Sequence, residues 1–369
     1  MKGKMKLITF LLSITLIGAV LLVGCSAEGD ETAAEPNDTD QADTTDDKNQ
    51  DVDGNTLATV LDRGYVIVGG NNQLPGFGYL NSDGEYEGFD IDFAKTIAAA
   101  LFDDPEAIEI RPLSAQERFT ALQTGEIDLL IRNTTWTLDR DVALGTNFTP
   151  TTFYDGQGIM VRADSGITSI EELEGARIGV ETGTTTESNL ADEFRKYGIT
   201  YEQVLFDDSD AVVEAYESGN IDAWTTDKSG LVSRQATMQE PSAHVILSES
   251  LSKEPLGPTV RHGDDQWFDI VKWVTLATIE AEELGITSAN YEDFLDSEDP
   301  VIRRFMGDEG ELGQMLGIED DFAVRVIKHV GNYQEIYDRN LGPDTIFNLE
   351  RGLNDLYTNG GILYSPPFR

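Results

Sequence analysis

The stretch Asp128-Leu-Leu-Ile-Arg-Asn-Thr-Thr-Trp-Thr-Leu-Asp-Arg140 decides the fold. Residues 127–131 form a short apolar run that reads as a buried strand. Asn133, Thr134, Thr135 and Thr137 then supply hydrogen-bonding groups, and Asp139-Arg140 opens a new turn or helix. In open α/β sheets the ligand crevice lies beyond the carboxyl ends of the strands. A strand that ends in hydroxyls and then a guanidinium suits an anion, most simply a carboxylate.

A second stretch has the same build. Ala121-Leu-Gln-Thr-Gly-Glu-Ile-Asp128 precedes the first strand, and Ala215-Tyr-Glu-Ser-Gly-Asn-Ile-Asp222 precedes another. In each, a helix end meets Gly at the position just past its last turn, then a strand that starts Ile-Asp. The second strand continues Ala223-Trp-Thr-Thr-Asp227 and ends in an acid. Two similar lobes facing one cleft would bring Arg140 and Asp227 together from opposite sides, a charge pair complementary to a free amino acid. The plainer reading, that both are unrelated surface charges, stands beside it, because charged side chains are mostly exposed.

Working outward, 56–62 reads as a short helix and 65–68 as a buried strand closed by Gly69-Gly70. Asn71-Asn-Gln-Leu-Pro-Gly-Phe-Gly78 is a loop of turn residues at that strand's carboxyl end. Phe77 within it has two readings, a cover for a ligand's apolar part or a plug in the core. A helix over 90–102, a strand over 107–111, a capping box Ser114-Ala-Gln-Glu117 and a helix over 115–124 follow. Strand, helix, strand, helix, strand implies a parallel sheet with right-handed crossovers.

Beyond an irregular region to Asp155, Tyr154-Asp-Gly-Gln-Gly158 reads as a passage from one lobe to the next. Ser169-Ile-Glu-Glu172 is a further capping box, and 177–180 is a strand. At its end, Thr184-x-x-Glu187 starts a helix that runs to about Tyr197. A helix start offers free N–H groups to an anion, and Gly183 allows close approach to the backbone. The alternative is an ordinary capped helix. Strands over 201–206, 221–226 and 244–247 alternate with helices over 210–218 and 228–238. Ser252-Lys-Glu-Pro-Leu-Gly-Pro258 reads as the return crossing, and a long helix follows over 267–284.

The 369 residues suffice for two domains, and 12 Tyr with 16 Phe can fill their cores. A formal net charge of −42 argues against nucleic acid, which demands basic surface. At the N-terminus, Lys2, Lys4 and Lys6 precede the apolar run 7–23, the build of an export signal. The run ends Leu22-Val-Gly-Cys25, which resembles the lipobox of bacterial lipoproteins and implies acylation of Cys25. An uncleaved membrane anchor is the alternative, since 17 residues are borderline for a span. Residues 26–55 are acidic and poor in apolar residues, and read as an extended tether. Cys25 is the only cysteine, so no disulfide or thiolate site is available within the chain. His244, His262 and His329 lack metal-ligand spacing, so neither a metal nor a cofactor is expected.

Further motifs carry a resemblance: Gly88-Phe-Asp-Ile-Asp-Phe93, Glu117-Arg-Phe-Thr-Ala-Leu122, Arg132-Asn-Thr-Thr-Trp-Thr137, Thr182-Gly-Thr-Thr-Thr-Glu187, Thr225-Thr-Asp-Lys-Ser-Gly230, Val330-Gly-Asn332 and Ser365-Pro-Pro-Phe-Arg369. With the two crossings, they make the chain from about Leu57 to Arg369 resemble the extracellular solute-binding proteins of the polar amino-acid class. Within that class it is most similar to the general L-amino-acid-binding proteins of ABC transporters. The resemblance implies the type II periplasmic-binding-protein fold: α/β, two lobes, each a parallel-type sheet flanked by helices, around a hinge cleft. It implies that Arg140 binds the ligand α-carboxylate, assisted by Thr135, Thr184 and Thr185, and that Asp227 and Asn133 hold the α-amino group.

The resulting expectation is a signal peptide over 1–24, a lipidated acidic tether over 25–55, one lobe from 56–155 and 256–369, and a second over 156–255. The expected ligand set is Phe77, Asn133, Thr135, Arg140, Gly183, Thr184, Thr185 and Asp227. The expected role is capture of a free L-amino acid by hinge closure and delivery to ABC-transporter permease subunits. The expected location is extracytoplasmic: the outer face of the cytoplasmic membrane through lipid on Cys25, or the periplasm. Two rivals remain. One is an enzyme on small carboxylates using Asp227 and Glu187, although no His or Cys accompanies them. The other is a sensor lobe, for which no kinase, channel or cyclase segment follows Arg369.

Overall fold

The structure, a computed structural model, describes residues 55–369. The export signal, Cys25 and nearly all of the tether therefore lie outside the described residues. Within them no helix is long and apolar enough to cross a membrane.

Val66–Gly70 is buried at every position, as its apolar sequence requires, and organises a five-stranded sheet. The strand order is Ile108–Pro112, Val66–Gly70, Leu129–Leu130, Thr259–Arg261, Thr146–Phe148. A second sheet has the order Glu202–Phe206, Arg177–Glu181, Ala223–Asp227, Gln157–Arg162, His244–Ile246. In both, the first three strands run parallel. The fourth strand of each, Thr259–Arg261 and Gln157–Arg162, enters antiparallel to both its neighbours. The parallel-type sheets expected from the sequence are thus mixed. The reason is the route of the chain. Each antiparallel strand arrives directly from a crossing segment, and an antiparallel neighbour needs no crossover helix. Those segments, Phe153–Asp155 and Glu254–Leu256, pair with each other, Asp155 opposite Glu254.

Side chains alternate across the second sheet, as a strand dictates. Ile159 and Val161 join Ile178, Leu190 and Phe194 on one face, while Met160 joins Val212, Tyr216 and Trp224 on the other. The first sheet is covered by helices Phe89–Phe102, Asp265–Glu283, Phe322–His329 and Tyr333–Asn340. The C-terminal segment therefore thickens the first body rather than forming one of its own. An aromatic cluster of Phe77, Phe89, Phe153, Tyr333 and Tyr337 sits at its centre.

Some local expectations shift. The Ser114–Glu117 box forms, with Ser114 N–H and Oγ donating to Glu117 Oε2 at 3.1 and 2.8 Å. The helix behind it starts only at Arg118 and ends at Gln123. Ser169 starts a single 3-10 turn, Ile170–Leu173. The strand read over 127–131 is regular only at Leu129–Leu130. The irregular region before Asp155 contributes the edge strand Thr146–Phe148, and 73–87 forms a small three-stranded ribbon.

Candidate functional site

The strand Leu129–Leu130 leads into a loop whose shape is set by Asn133. Its φ of +33° is a left-handed conformation that few residues other than Gly adopt. Two bonds hold it there: Asn133 N–H donates to Asp90 Oδ2 at 2.7 Å, and Asn71 Nδ2 donates to Asn133 Oδ1 at 3.2 Å. Burial pushes the Asp90 carboxyl up to about 7, against the pull of the Asn133 N–H bond and of Arg132. The loop then pairs with the return crossing. Thr135 bridges to Leu256, and Trp136 N–H donates to Pro255 O at 2.8 Å.

A single wide turn, Asp139–Ala143, follows and buries Arg140. Arg140 Nη1 donates to Thr135 O at 2.9 Å, and its guanidinium lies 5.1 Å from the Phe119 ring centroid. Burial lowers its pKa to about 10, opposed by the nearby carboxylates Glu254 and Asp227.

From the other sheet, Arg177–Glu181 delivers the helix Thr185–Tyr197, with Thr184 as its N-cap. Thr184 Oγ1 accepts from Glu187 N–H at 3.3 Å, and Glu187 Oε2 accepts from Gly183 N–H at 3.2 Å. Glu187 therefore serves the cap. A pocket of about 390 Å³ is lined by Phe119, Thr137 and Arg140 from one side and by Gly183, Thr184, Thr185 and Asn189 from the other. The hydroxyls of Thr135 and Thr185 are 3.4 Å apart. Arg140 and the helix start, distant in sequence, thus share one site.

Asp227 ends Ala223–Asp227 and is buried. It precedes helix Lys228–Thr237 but makes no side-chain capping bond to it. Burial raises its pKa well above the usual carboxylate range, helped by Asp155 and Glu254 and opposed by Arg118 and Arg140. Three carboxyls, Asp155, Asp227 and Glu254, thus act on one another here.

Two expected residues sit differently. Phe77 is fully buried, with Phe153 edge-on at 5.2 Å and Phe89 at 5.9 Å. Of its two readings the structure supports the core plug, because these rings enclose it. Gly183 has φ +73°, and a Cβ there would come within 3.0 Å of Gln116 Cγ and 3.3 Å of its Cα. The facing loop thus abuts its backbone beside the pocket that Gly183 also lines.

Several neighbours were not singled out from the sequence. Arg132 pairs with Glu181 across the two sheets at 3.1 Å. Glu254 accepts from Thr185 Oγ1 at 2.9 Å and Asn189 Nδ2 at 2.8 Å. Asp155 accepts from Ser229. Arg118 is buried beneath the loop. Asp155 and Glu254 carried a signal through the two crossings; Arg118 and Arg132 look like surface charges in a linear reading.

The model of the bacterial extracellular solute-binding proteins, family 3, matches residues 66–293. The chain belongs to this family. Over 316 residues it is 51% identical to the general L-amino acid-binding periplasmic protein AapJ of Rhizobium johnstonii, covering 85% of this chain and 93% of that one. It is 47% identical to the glutamate/glutamine/aspartate/asparagine-binding protein BztA of Rhodobacter capsulatus, again over 85% and 93%. Among solved structures, an ABC-transporter periplasmic binding protein from Brucella ovis with glutathione bound superposes with a TM-score of 0.83. It is 46% identical and spans 85% of this chain and 99% of its own. The expected type II periplasmic-binding-protein architecture is therefore the fold of this chain, and its family is one of solute-binding transport proteins, not enzymes.

Proposed function

We propose that this chain captures a free L-amino acid between its two bodies and presents it to the permease of an ABC transporter. Arg140 takes the α-carboxylate, with the N–H groups at the Thr184–Thr185 helix start beside it. Asp227 takes the α-ammonium. The observation that carries the reading is the pocket that Arg140 shares with the Gly183–Thr185 helix start, with the buried, uncapped Asp227 within electrostatic reach of Arg140. A carboxyl held in that position without a cap bond is costly unless a cation meets it.

Closure involves the bodies 56–155 with 256–369 and 156–255, hinged where Phe153–Asp155 pairs with Glu254–Leu256. Contacts between them support a closed state: Arg132 with Glu181, Gln116 with Thr182, and Ser233 with the Pro75 carbonyl. The names of the relatives support the ligand class. Glutathione also carries a free α-amino acid head on its glutamyl residue, so it belongs in the ligand panel. Lipid on Cys25 holds the protein at the membrane in this reading, and Cys25→Ser should then leave the detergent phase.

The test is calorimetric titration of the purified protein with each of the twenty amino acids and glutathione. Saturable binding of at least one amino acid is expected, together with a smaller radius of gyration in solution scattering. Failure of all twenty to bind overturns the reading.

A further inference from the structure

Hinge bending requires a few residues that turn while their neighbours stay fixed. The first crossing shows where that boundary lies. Tyr154 stands opposite Pro255, which has no N–H to donate. The polar backbone groups of Tyr154 go instead to one side chain. Tyr154 N–H donates to Asn354 Oδ1 at 2.6 Å, and Asn354 Nδ2 donates to the Tyr154 carbonyl at 3.2 Å. The buried carboxamide of Asn354 thus stands in for a neighbouring strand. The two residues before Tyr154 are held from the same side. Tyr333 Oη donates to the Thr152 carbonyl at 2.7 Å, and the Tyr337 ring lies parallel to that of Phe153 with centroids 6.2 Å apart.

Asn354 is tied down in turn. Arg351 Nε donates to the Asn354 carbonyl at 2.9 Å, and its Nη1 and Nη2 donate to the Glu282 carboxylate at 2.7 and 3.1 Å. Glu282 belongs to the long helix Asp265–Glu283 of the first body. Tyr333, Tyr337, Arg351 and Asn354 all lie beyond the segment 66–293 that the family model matches.

One residue further on, the attachments change body. Asp155 accepts from the Ser229 N–H at 3.2 Å and from its hydroxyl, and the Gly156 carbonyl accepts from the Lys228 N–H at 2.8 Å. Both partners start the helix Lys228–Thr237. On the return crossing the same change falls between Glu254, bonded to Thr185 and Asn189, and Pro255, whose carbonyl accepts from the Trp136 N–H.

We propose that Asn354 is a positioning residue for closure, which fixes the first-body side of the hinge and confines the rotation to Asp155–Gly156 and Glu254–Pro255. This rests on the hinge-closure reading above and adds the pivot to it. Without the clamp, residues 152–154 gain freedom in the open protein that the closed, ligand-bound protein must give up again.

The test combines hydrogen exchange of ligand-free protein with calorimetric titration of the twenty amino acids, in wild type, Asn354→Ala and Asn354→Asp. Asn354→Ala should speed exchange at 152–156 by about tenfold or more, through local opening, and leave the strand Arg177–Glu181 unchanged. It should weaken the tightest-binding amino acid by about tenfold, with a less favourable binding entropy. Asn354→Asp keeps the acceptor for the Tyr154 N–H and loses the donor to its carbonyl, so both effects should be smaller. If Asn354→Ala does not fold, Asn354→Asp decides by the same two readouts. Faster exchange spread evenly over the first body would make Asn354 a packing residue only, and the proposal falls. Unchanged exchange at 152–156, or unchanged affinity, also overturns it. If wild type binds none of the twenty, the amino-acid reading falls instead, and the exchange pattern alone decides the clamp.

Discussion

The turns Gly125–Asp128 and Gly219–Asp222 are near copies, and the strands that follow them are not. Both glycines have positive φ, +75° and +78°. Glu126 N–H bonds the Ala121 carbonyl at 3.0 Å, and Asn220 N–H bonds the Ala215 carbonyl at 2.9 Å. Asp128 accepts the Ile67 N–H at 2.8 Å and also binds Arg63; Asp222 accepts the Arg177 N–H at 2.8 Å and also binds Arg177's own guanidinium. Ile127 lies over Gly69 and Ile221 over Gly179, each so close that a Cβ on the glycine would overlap the isoleucine Cδ1. Three residues farther on, the likeness ends. The first lobe's strand runs into Arg132, a left-handed Asn133 and Arg140; the second ends in Asp227 with an ordinary φ of −55°. In the proposed reading, a shared frame with a guanidinium at one tip and a carboxyl at the other suits a zwitterion held between two lobes.

The comparison breaks most sharply at the charged tips. Arg140→Ala should weaken amino-acid binding by roughly 2–5 kcal/mol, the scale for losing one partner of a buried charge pair. Arg140→Lys should also bind poorly for want of a bidentate fork. Wild-type affinity in both, read by calorimetry, would remove the cationic pole from Arg140. Asp227→Asn keeps the shape and loses the charge. Amino-acid affinity should fall about a hundredfold, about 3 kcal/mol, while discrimination against the matching keto acids narrows. Normal binding would leave the second strand end without its assigned role.

The shared frame is tested by Gly69→Ala and Gly179→Ala. Each forces a methyl into an isoleucine, so each should cost about 1–3 kcal/mol in denaturant unfolding, the range for overpacking. Similar losses support the equivalence of the two turns; a loss in only one breaks it.

The smallest effect concerns what the first tip has and the second lacks, the support of Asn133 by Asp90. The folded-state pKa of Asp90, about 7, lies above its unfolded value of 3.8. Between these values the folded protein holds a proton that the unfolded chain has released. Stability from this group is therefore full below about pH 4 and is lost as pH rises through about 7. The slope is at most about 1.4 kcal/mol per pH unit. Melting curves of ligand-free protein at pH 5 and pH 8 should differ less in Asp90→Asn than in wild type. An unchanged difference would show that Asp90 is not the group being discharged.

The sequence by itself determined the frame. Apolar runs located the inner strands, because a strand buried on both faces must be apolar. Glycine at the ends of the helices before Ile127 and Ile221 marked the turns, because those turns require positive φ. Hydroxyls and charges after the strands marked Thr135, Arg140, Thr184 and Asp227, because strand ends point at the crevice. What only the tertiary structure decided depends on which distant residues meet. Phe77 is core because Phe89 and Phe153 close around it. The fourth strand of each sheet runs antiparallel because a crossing segment delivers it. Arg118, seven residues from a turn and one from a capping box, looks like a surface charge in the linear chain. Its burial follows from the loop of Arg132 and Thr134 folding over it, a long-range contact that no local periodicity encodes.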